Sequence, residues 1–264
     1  MAASSTGPAS AVPAPPTGPA GDQRARVVLP PVGAAFDYQL GGAYTPPGGV
    51  GVVSRDRTAK PVAGLYNICY INAFQAQPDA LAWWQARHPE LLLRRGDHGL
   101  VIDRDWGEAL LDTSTAARRA ALAAVVAVWV DDCAASGFQA VEPDNLDSFE
   151  RAEGLLTQAD NAAFAQLVAR RAHADGLAVG QKNTAELLGQ RRTVGFDFAV
   201  TEECGTYGEC AGFADAYEDR VYDVEYSDSG LAKACGGWMT RISIVRRDRD
   251  VVPAGSDGYV DRTC

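Results

Sequence analysis

The sequence predicts a single α/β domain of the (β/α)8 barrel class, a TIM barrel, and three observations lead there. From Arg26 onward, short apolar runs alternate with longer helical patterns, as βα units do. Most of those runs are continuously apolar, which suits parallel strands buried on both faces. The 264 residues, 47% hydrophobic and 22% charged, are enough for one barrel, and no repeat of fixed period suggests a solenoid or propeller.

Residues 1–26, rich in Ala, Pro, Ser, Gly and Thr, lack an apolar run that could pack, and read as a disordered leader or linker ahead of a barrel domain over 27–264. Nine segments then carry strand patterns: Phe36–Leu40, Val50–Val53, Tyr66–Asn72, Gly99–Asp103, Phe138–Glu142, Leu177–Lys182, Phe196–Glu202, Val221–Glu225 and Arg241–Val245. A barrel needs eight, so the weakest, Gly99–Asp103, is assigned to a loop or accessory element. The clearest helices run from Thr115 to Ala135, with Thr113 or Ser114 as N-cap and Gly137 as terminator, and from Gln158 to Asp175, with Thr157 as N-cap and Gly176 as stop.

Six cysteines in a chain with a linker-like leader suggest three disulfides and an oxidising compartment. Cys204 with Cys210, and Cys235 with Cys264, are the pairings considered. Only three histidines occur, none near a cysteine, which disfavours zinc; no metal or cofactor is expected. The leader has neither the basic start nor the apolar run of a secretory signal, so the expectation is a secreted, extracellular monomer whose signal peptide is not present in this sequence. No apolar stretch is long enough to span a bilayer, so no membrane partner is expected. The formal charge of −10, without a basic cluster, disfavours nucleic acid and favours an uncharged or cationic substrate.

Polar residues gather where the apolar strands end, and in a barrel those C-terminal ends form the face where active sites are built. The strand ending at Glu142 runs into Asp144, Asn145 and Asp147. The next ends at Lys182 and Asn183, the next at Glu202 and Glu203, and the next at Glu225 and Tyr226. Tyr70 and Asn72 close the third strand, and Asp37 and Gln39 lie on the first. Taken singly, such residues are common turn, cap and packing types; their clustering is what points to function. Two acids at neighbouring strand ends suit glycosidic cleavage, which needs one carboxylate as nucleophile or base and one protonated carboxyl to donate to the leaving oxygen. Asp144 is the first. Glu202 and Glu203 compete for the second, because adjacent residues on a strand face opposite sides; Glu202 is preferred. A glycine-rich Gly48–Gly51 segment lacks nucleotide-loop spacing, and no G-x-S-x-G elbow places a serine nucleophile.

These segments resemble glycoside hydrolase family 114, the endo-α-1,4-polygalactosaminidases. The likeness runs through Phe36–Leu40, Ile68–Asn72, Gly137–Asn145, Gly176–Asn183, Phe196–Cys204 and Val224–Tyr226, and its specific parts are the Glu-Pro-Asp-Asn and Glu-Glu-Cys segments. The resemblance implies a (β/α)8 barrel that cleaves galactosamine polymers with a carboxylate pair, Asp144 falling on the nucleophile motif and Glu202 or Glu203 on the acid/base motif. On these strands and strand ends, Asp37, Gln39, Tyr70, Asn72, Asn145, Asp147, Lys182, Asn183, Glu225 and Tyr226 are the candidates for binding substrate. Where family members often continue the tyrosine strand with a glycine and an acid, this chain has Ala73–Pro78, bulkier and uncharged, so its subsite shape differs. The competing readings are a catalytically inactive barrel that binds polysaccharide, and a hydrolase for another α-linked sugar.

Overall fold

The structure, a computed structural model, describes residues 26–264; the leader expected over 1–26 lies, apart from Arg26, outside the described residues. Eight parallel strands follow one another around a barrel: β1 (Phe36–Gln39), β2 (Val52–Asp56), β3 (Tyr66–Asn72), β4 (Ala140–Asp144), β5 (Ala178–Lys182), β6 (Phe198–Glu202), β7 (Val221–Glu225) and β8 (Ser243–Arg247). Each pairs in parallel with the next. β9 (Asp261–Thr263) adds antiparallel to β8. At the seam β8 returns beside β1, where the Ser243 hydroxyl donates to the Ala34 carbonyl (2.6 Å) and the Gly41 amide to the Val251 carbonyl (3.2 Å).

Two-residue alternation sorts the side chains. Phe36, Tyr38, Val52, Ile68, Ala140, Ala178, Phe198, Val200, Tyr222, Val224 and Val245 fill the barrel interior. Gly180 is required there, since a Cβ would lie 2.9 Å from the Phe198 ring. The opposite set, including Cys69, Ile71, Val141, Val179 and Ala199, packs outward in the shell that also holds helix residues Leu122, Val126, Phe164 and Val168. Burial on both sides is why these strands read as unbroken apolar runs.

The helices are α1 (Leu81–Arg87), α2 (Ala116–Ser136), α3 (Gln158–Ala174), α4 (Arg191–Val194), α5 (Cys204–Tyr207), α6 (Cys210–Tyr217) and α7 (Asp228–Trp238). The expected ring of helices has a gap. Connections 40–51 and 57–65 carry none, because Gly41-Gly42, Pro46-Pro47-Gly48-Gly49 and then Pro61 and Gly64 break any helix. Instead, Tyr259 from the C-terminal segment packs edge-on against Tyr44, their centroids 5.7 Å apart. Thr115, not Thr113 or Ser114, caps α2, accepting from the Arg118 amide; Ser114 is engaged by Asp112. Thr157 caps α3 in a capping box with Asp160, as its sequence predicts. Gly99–Asp103 proves to be accessory. Ile102–Asp103 joins Glu108–Leu110 and Gln75–Ala76 in a small antiparallel sheet inserted between β3 and β4.

Three disulfides, Cys69–Cys133, Cys204–Cys210 and Cys235–Cys264, tie β3 to α2, close the turn after β6, and anchor the C-terminus to α7. Among the described residues no helix is long and apolar enough to cross a membrane.

Candidate active site

Towards the C-terminal ends of the strands, the inward-facing positions change from apolar to polar: Tyr38, Ser54, Tyr70, Glu142, Asp144, Lys182 and Glu202. Most of them open on a cavity of about 320 Å³. Lys182 is at the centre, its side chain only 2% exposed. Its ammonium lies 3.1 Å from Asp144, 3.4 Å from Glu142 and 3.5 Å from Glu202, and donates to the Tyr38 hydroxyl at 3.2 Å.

Each acid at the mouth is held by donors. Asp144 Oδ2 accepts from the Tyr70 hydroxyl (2.6 Å), while Oδ1 accepts from the Asn145 amide (2.7 Å) and from Lys182. Glu202 Oε2 accepts from Asn183 Nδ2 (3.0 Å), Oε1 accepts from the Tyr226 hydroxyl, and the Glu202 amide donates to Asn183 Oδ1 (2.7 Å). Asn145 and Asn183 both have left-handed backbones, φ 65° and 46°, which Asn tolerates better than most residues. Behind the mouth, fully buried Glu142 accepts from Tyr38 (2.8 Å) and Ser54 (2.7 Å).

These contacts divide the acids electrostatically. Burial works against ionising Asp144, but the Lys182 ammonium, the Tyr70 hydroxyl and the Asn145 amide prevail and hold its carboxyl below the usual range. Burial pushes Glu142 up to about 7 despite Lys182. It also pushes Glu108 up to about 7, against the Asn72 hydrogen bond. Burial alone would lower Lys182, yet Asp144, Glu202 and Glu142 raise it well above its ordinary value. A carboxylate held low, a fixed cation and a second carboxyl therefore share one cleft, an arrangement fit for acid/base chemistry at an acetal.

Of the residues singled out in the sequence, Asp144, Asn145, Asp147, Tyr70, Lys182, Asn183, Glu202 and Tyr226 line the cavity. Asp147 is clamped by Arg151 through two contacts of 2.8 and 2.9 Å. Asn72 stands one step behind, donating to Glu108 (2.8 Å) and accepting from Asn145 (3.0 Å). Four others do not reach the mouth. Asp37 and Gln39 alternate with the inward Phe36 and Tyr38, so they face out of the barrel and bond with Tyr44, Arg55 and one another. Glu225 faces out likewise and is fully buried, accepting from the Gly205 amide (2.7 Å) and the Thr206 hydroxyl (2.8 Å), with Gly205 and Gly230 pressed against it. Glu203 has φ 60° at the start of α5 and turns off the strand away from the cavity.

Sequence reasoning missed Tyr38 and Glu142, although both share the inward parity of Asp144 and Lys182. It also missed Asp103, Trp106, Glu108 and Arg151, which arrive from the β3–β4 insertion and the turn after β4, and Arg249 beyond β8. Among the described residues, the cluster with metal-like spacing is Cys204, Cys210 and Asp223, but its cysteines are joined as a disulfide, which leaves one carboxylate.

The model of glycoside-hydrolase family GH114 matches residues 17–264. Among solved structures, Ega3 of Aspergillus fumigatus, crystallised in complex with galactosamine, aligns at 22% identity over 92% of this chain and 100% of that one, with a TM-score of 0.73. The glycoside hydrolase domain of PelA from Pseudomonas aeruginosa aligns at 16% identity over 87% and 99% of the two chains, with a TM-score of 0.61. These likenesses establish the barrel fold. No curated protein matches the chain.

Proposed function

The chain belongs to glycoside-hydrolase family GH114 and is a glycosidase, and from that premise we propose that it cleaves α-1,4-linked galactosamine-containing polysaccharide within the chain, with retention of configuration. The observation that carries the mechanism is the pair of mouth acids on one ammonium: Asp144 at 3.1 Å and Glu202 at 3.5 Å from Lys182. Their nearest oxygens are thus separated by less than the sum of those distances. That bound reaches only the lower edge of the about 6.5–9.5 Å of inverting enzymes and leaves room for the about 5–5.5 Å of retaining ones. In this reading ionised Asp144 attacks the anomeric carbon, and Glu202 protonates the leaving oxygen. A glycosyl ester on Asp144 results. Glu202 then takes a proton from the water that opens it.

The cavity's charge supports an ammonium sugar. Seven acids, Asp103, Asp105, Glu108, Asp144, Asp147, Glu202 and Asp250, line it against Lys182, Arg151 and Arg249. Arg151 is already engaged by Asp103 and Asp147, and Lys182 by the central acids. A deacetylated galactosamine unit therefore meets surplus negative charge. The galactosamine bound by Ega3 points the same way. The three disulfides support an extracellular location.

The test is to incubate wild type, Asp144→Asn, Glu202→Gln and Glu203→Gln with α-1,4-galactosamine oligomers and read the products by mass. Asp144→Asn and Glu202→Gln are expected to lose about 100-fold or more in rate, within the span of general-acid and nucleophile deletions. Glu203→Gln keeps its rate. Inactive wild type, or Glu203→Gln failing while Glu202→Gln works, would overturn the assignment.

A further inference from the structure

Beside the catalytic mouth lies a second cavity of about 280 Å³, near the lower end of about 300 Å³ for small-molecule sites, whose walls include Asp56, Arg57, Gln75, Gln77, Trp83 and Trp129. We infer that it binds a further sugar unit of the same polymer, extending the cleft as a remote subsite; the inference rests on the polysaccharide reading above.

Three observations support it. The two cavities share Gln77 as a wall, so a chain lying in the mouth has a neighbouring space to enter. Trp83 is 44% exposed although it packs edge-on against buried Trp84 (5.2 Å). An indole held rigidly in this way and left open offers the flat apolar surface on which the C–H face of a pyranose lies. Arg57 covers the Trp129 ring at 4.6 Å and brings donors to the same wall. Finally, Gln75 is 1% exposed and has an unpartnered acceptor: its Nε2 donates to Asp103 (3.2 Å), while its Oε1 is buried without a hydrogen bond. Turning the amide over would set its oxygen against the Asp103 carboxylate, so the orientation is fixed. Gln75 stands on the cavity wall, so a small movement of its side chain would let this carbonyl accept from a sugar hydroxyl or ammonium. Both glutamines belong to Ala73–Pro78, the uncharged segment that stood out in the sequence.

The experiment measures initial rates on α-1,4-galactosamine oligomers of graded length for wild type, Trp83→Ala and Trp83→Tyr, with thermal melts to verify folding. Trp83→Ala is expected to raise KM about tenfold on long oligomers only, with kcat unchanged on the shortest oligomer cleaved, and Trp83→Tyr to restore most of it. In parallel, titration of Asp144→Asn by intrinsic fluorescence is expected to show affinity rising about tenfold once the oligomer is long enough to reach the second cavity. Equal KM for wild type and Trp83→Ala at every length, a fall in kcat at every length, or affinity independent of length overturns the subsite while cleavage itself stands. Failure of folded wild type to cleave any galactosamine oligomer overturns the functional reading, and the subsite with it.

Discussion

Removing the ammonium at the centre of the site, as in Lys182→Met, tests the electrostatic account most directly. Lys182 is nearly fully buried and lies 3.1–3.5 Å from three carboxylates. At an effective dielectric of about 20, each such contact is worth about 5 kcal/mol gross, most of it offset by desolvation. Deleting one partner of a buried ion pair typically costs about 3–5 kcal/mol, a large part of a domain's stability of about 5–15 kcal/mol. The cost depends on pH. Without the cation, burial raises Glu142 further above its unfolded value and Asp144 loses the foremost group that lowers it, so the variant is most stable where Glu142 is protonated and loses stability as pH rises through its folded value. It should therefore fold at pH 5.5 and be markedly weaker at pH 8. The catalytic signature is separate. Lys182 is the foremost of the groups that hold Asp144 below the usual carboxylate range, and an opposite charge at this distance is worth about 1–3 pKa units. The acid limb of kcat/KM against pH should accordingly move up by about 1–3 units in Lys182→Met. A folded variant whose acid limb stays in place would refute the claim that Lys182 keeps Asp144 ionised.

Three further outcomes follow from the same contacts. Burial raises Glu142 to about 7, so the native state binds more protons than the unfolded chain between about pH 4.3 and that value. Wild type should therefore gain stability as pH falls through that window, and Glu142→Gln should show a smaller gain between pH 7.5 and 5 in urea midpoints. The acidic cavity predicts that rising salt increases KM for a deacetylated polymer and hardly affects an acetylated one; equal effects would refute the ammonium reading. Replacing Cys204 and Cys210 together by Ser opens a loop of sequence separation 6. Loop entropy assigns that link about 2 kcal/mol, or about 4–8 °C in Tm for a chain of this size. Differential scanning calorimetry checks it, and an unchanged Tm would show that the turn is held without the disulfide.

The barrel was legible because strands buried on both faces leave unbroken apolar runs, and seven of the eight were locatable to within two residues. Asp144, Lys182 and Glu202 were legible because each is the last residue of its strand. What failed was parity. Asp37, Gln39 and Glu225 sit on strands that end at the mouth but point to the outer face, while Tyr38 and Glu142 point in and were read as strand interior. Parity counted from Asp144 reaches Glu142, two residues back on β4, and would have recovered it. The insertion residues were out of reach of any such count: Ile102–Asp103 and Glu108–Leu110 are two- and three-residue strands, too short to carry a period, and nothing local to Glu108 or Trp106 says that the loop folds back over the cleft.

The outward acids nevertheless bear on the choice between Glu202 and Glu203. Asp223 and Glu225 alternate with the inward residues of β7 and meet the turn that follows β6. Asp223 Oδ1 accepts from Thr201 (2.8 Å) and the Cys204 amide (3.2 Å), and Glu225 from Gly205 and Thr206. Burial and the nearby Glu225 carboxyl push Asp223 well above the ordinary carboxylate range. The turn is thus fixed from behind by two carboxyls and across by the disulfide, with Glu203 held in a left-handed conformation. For Glu203 to reach the mouth, the turn would have to release those bonds and rotate the chain by one residue, which would also carry Glu202 away from Asn183, Tyr226 and Lys182. This geometry supports the proposed choice of Glu202 over Glu203, and the buried pair on the outer face of β7 helps to hold the turn that sets it.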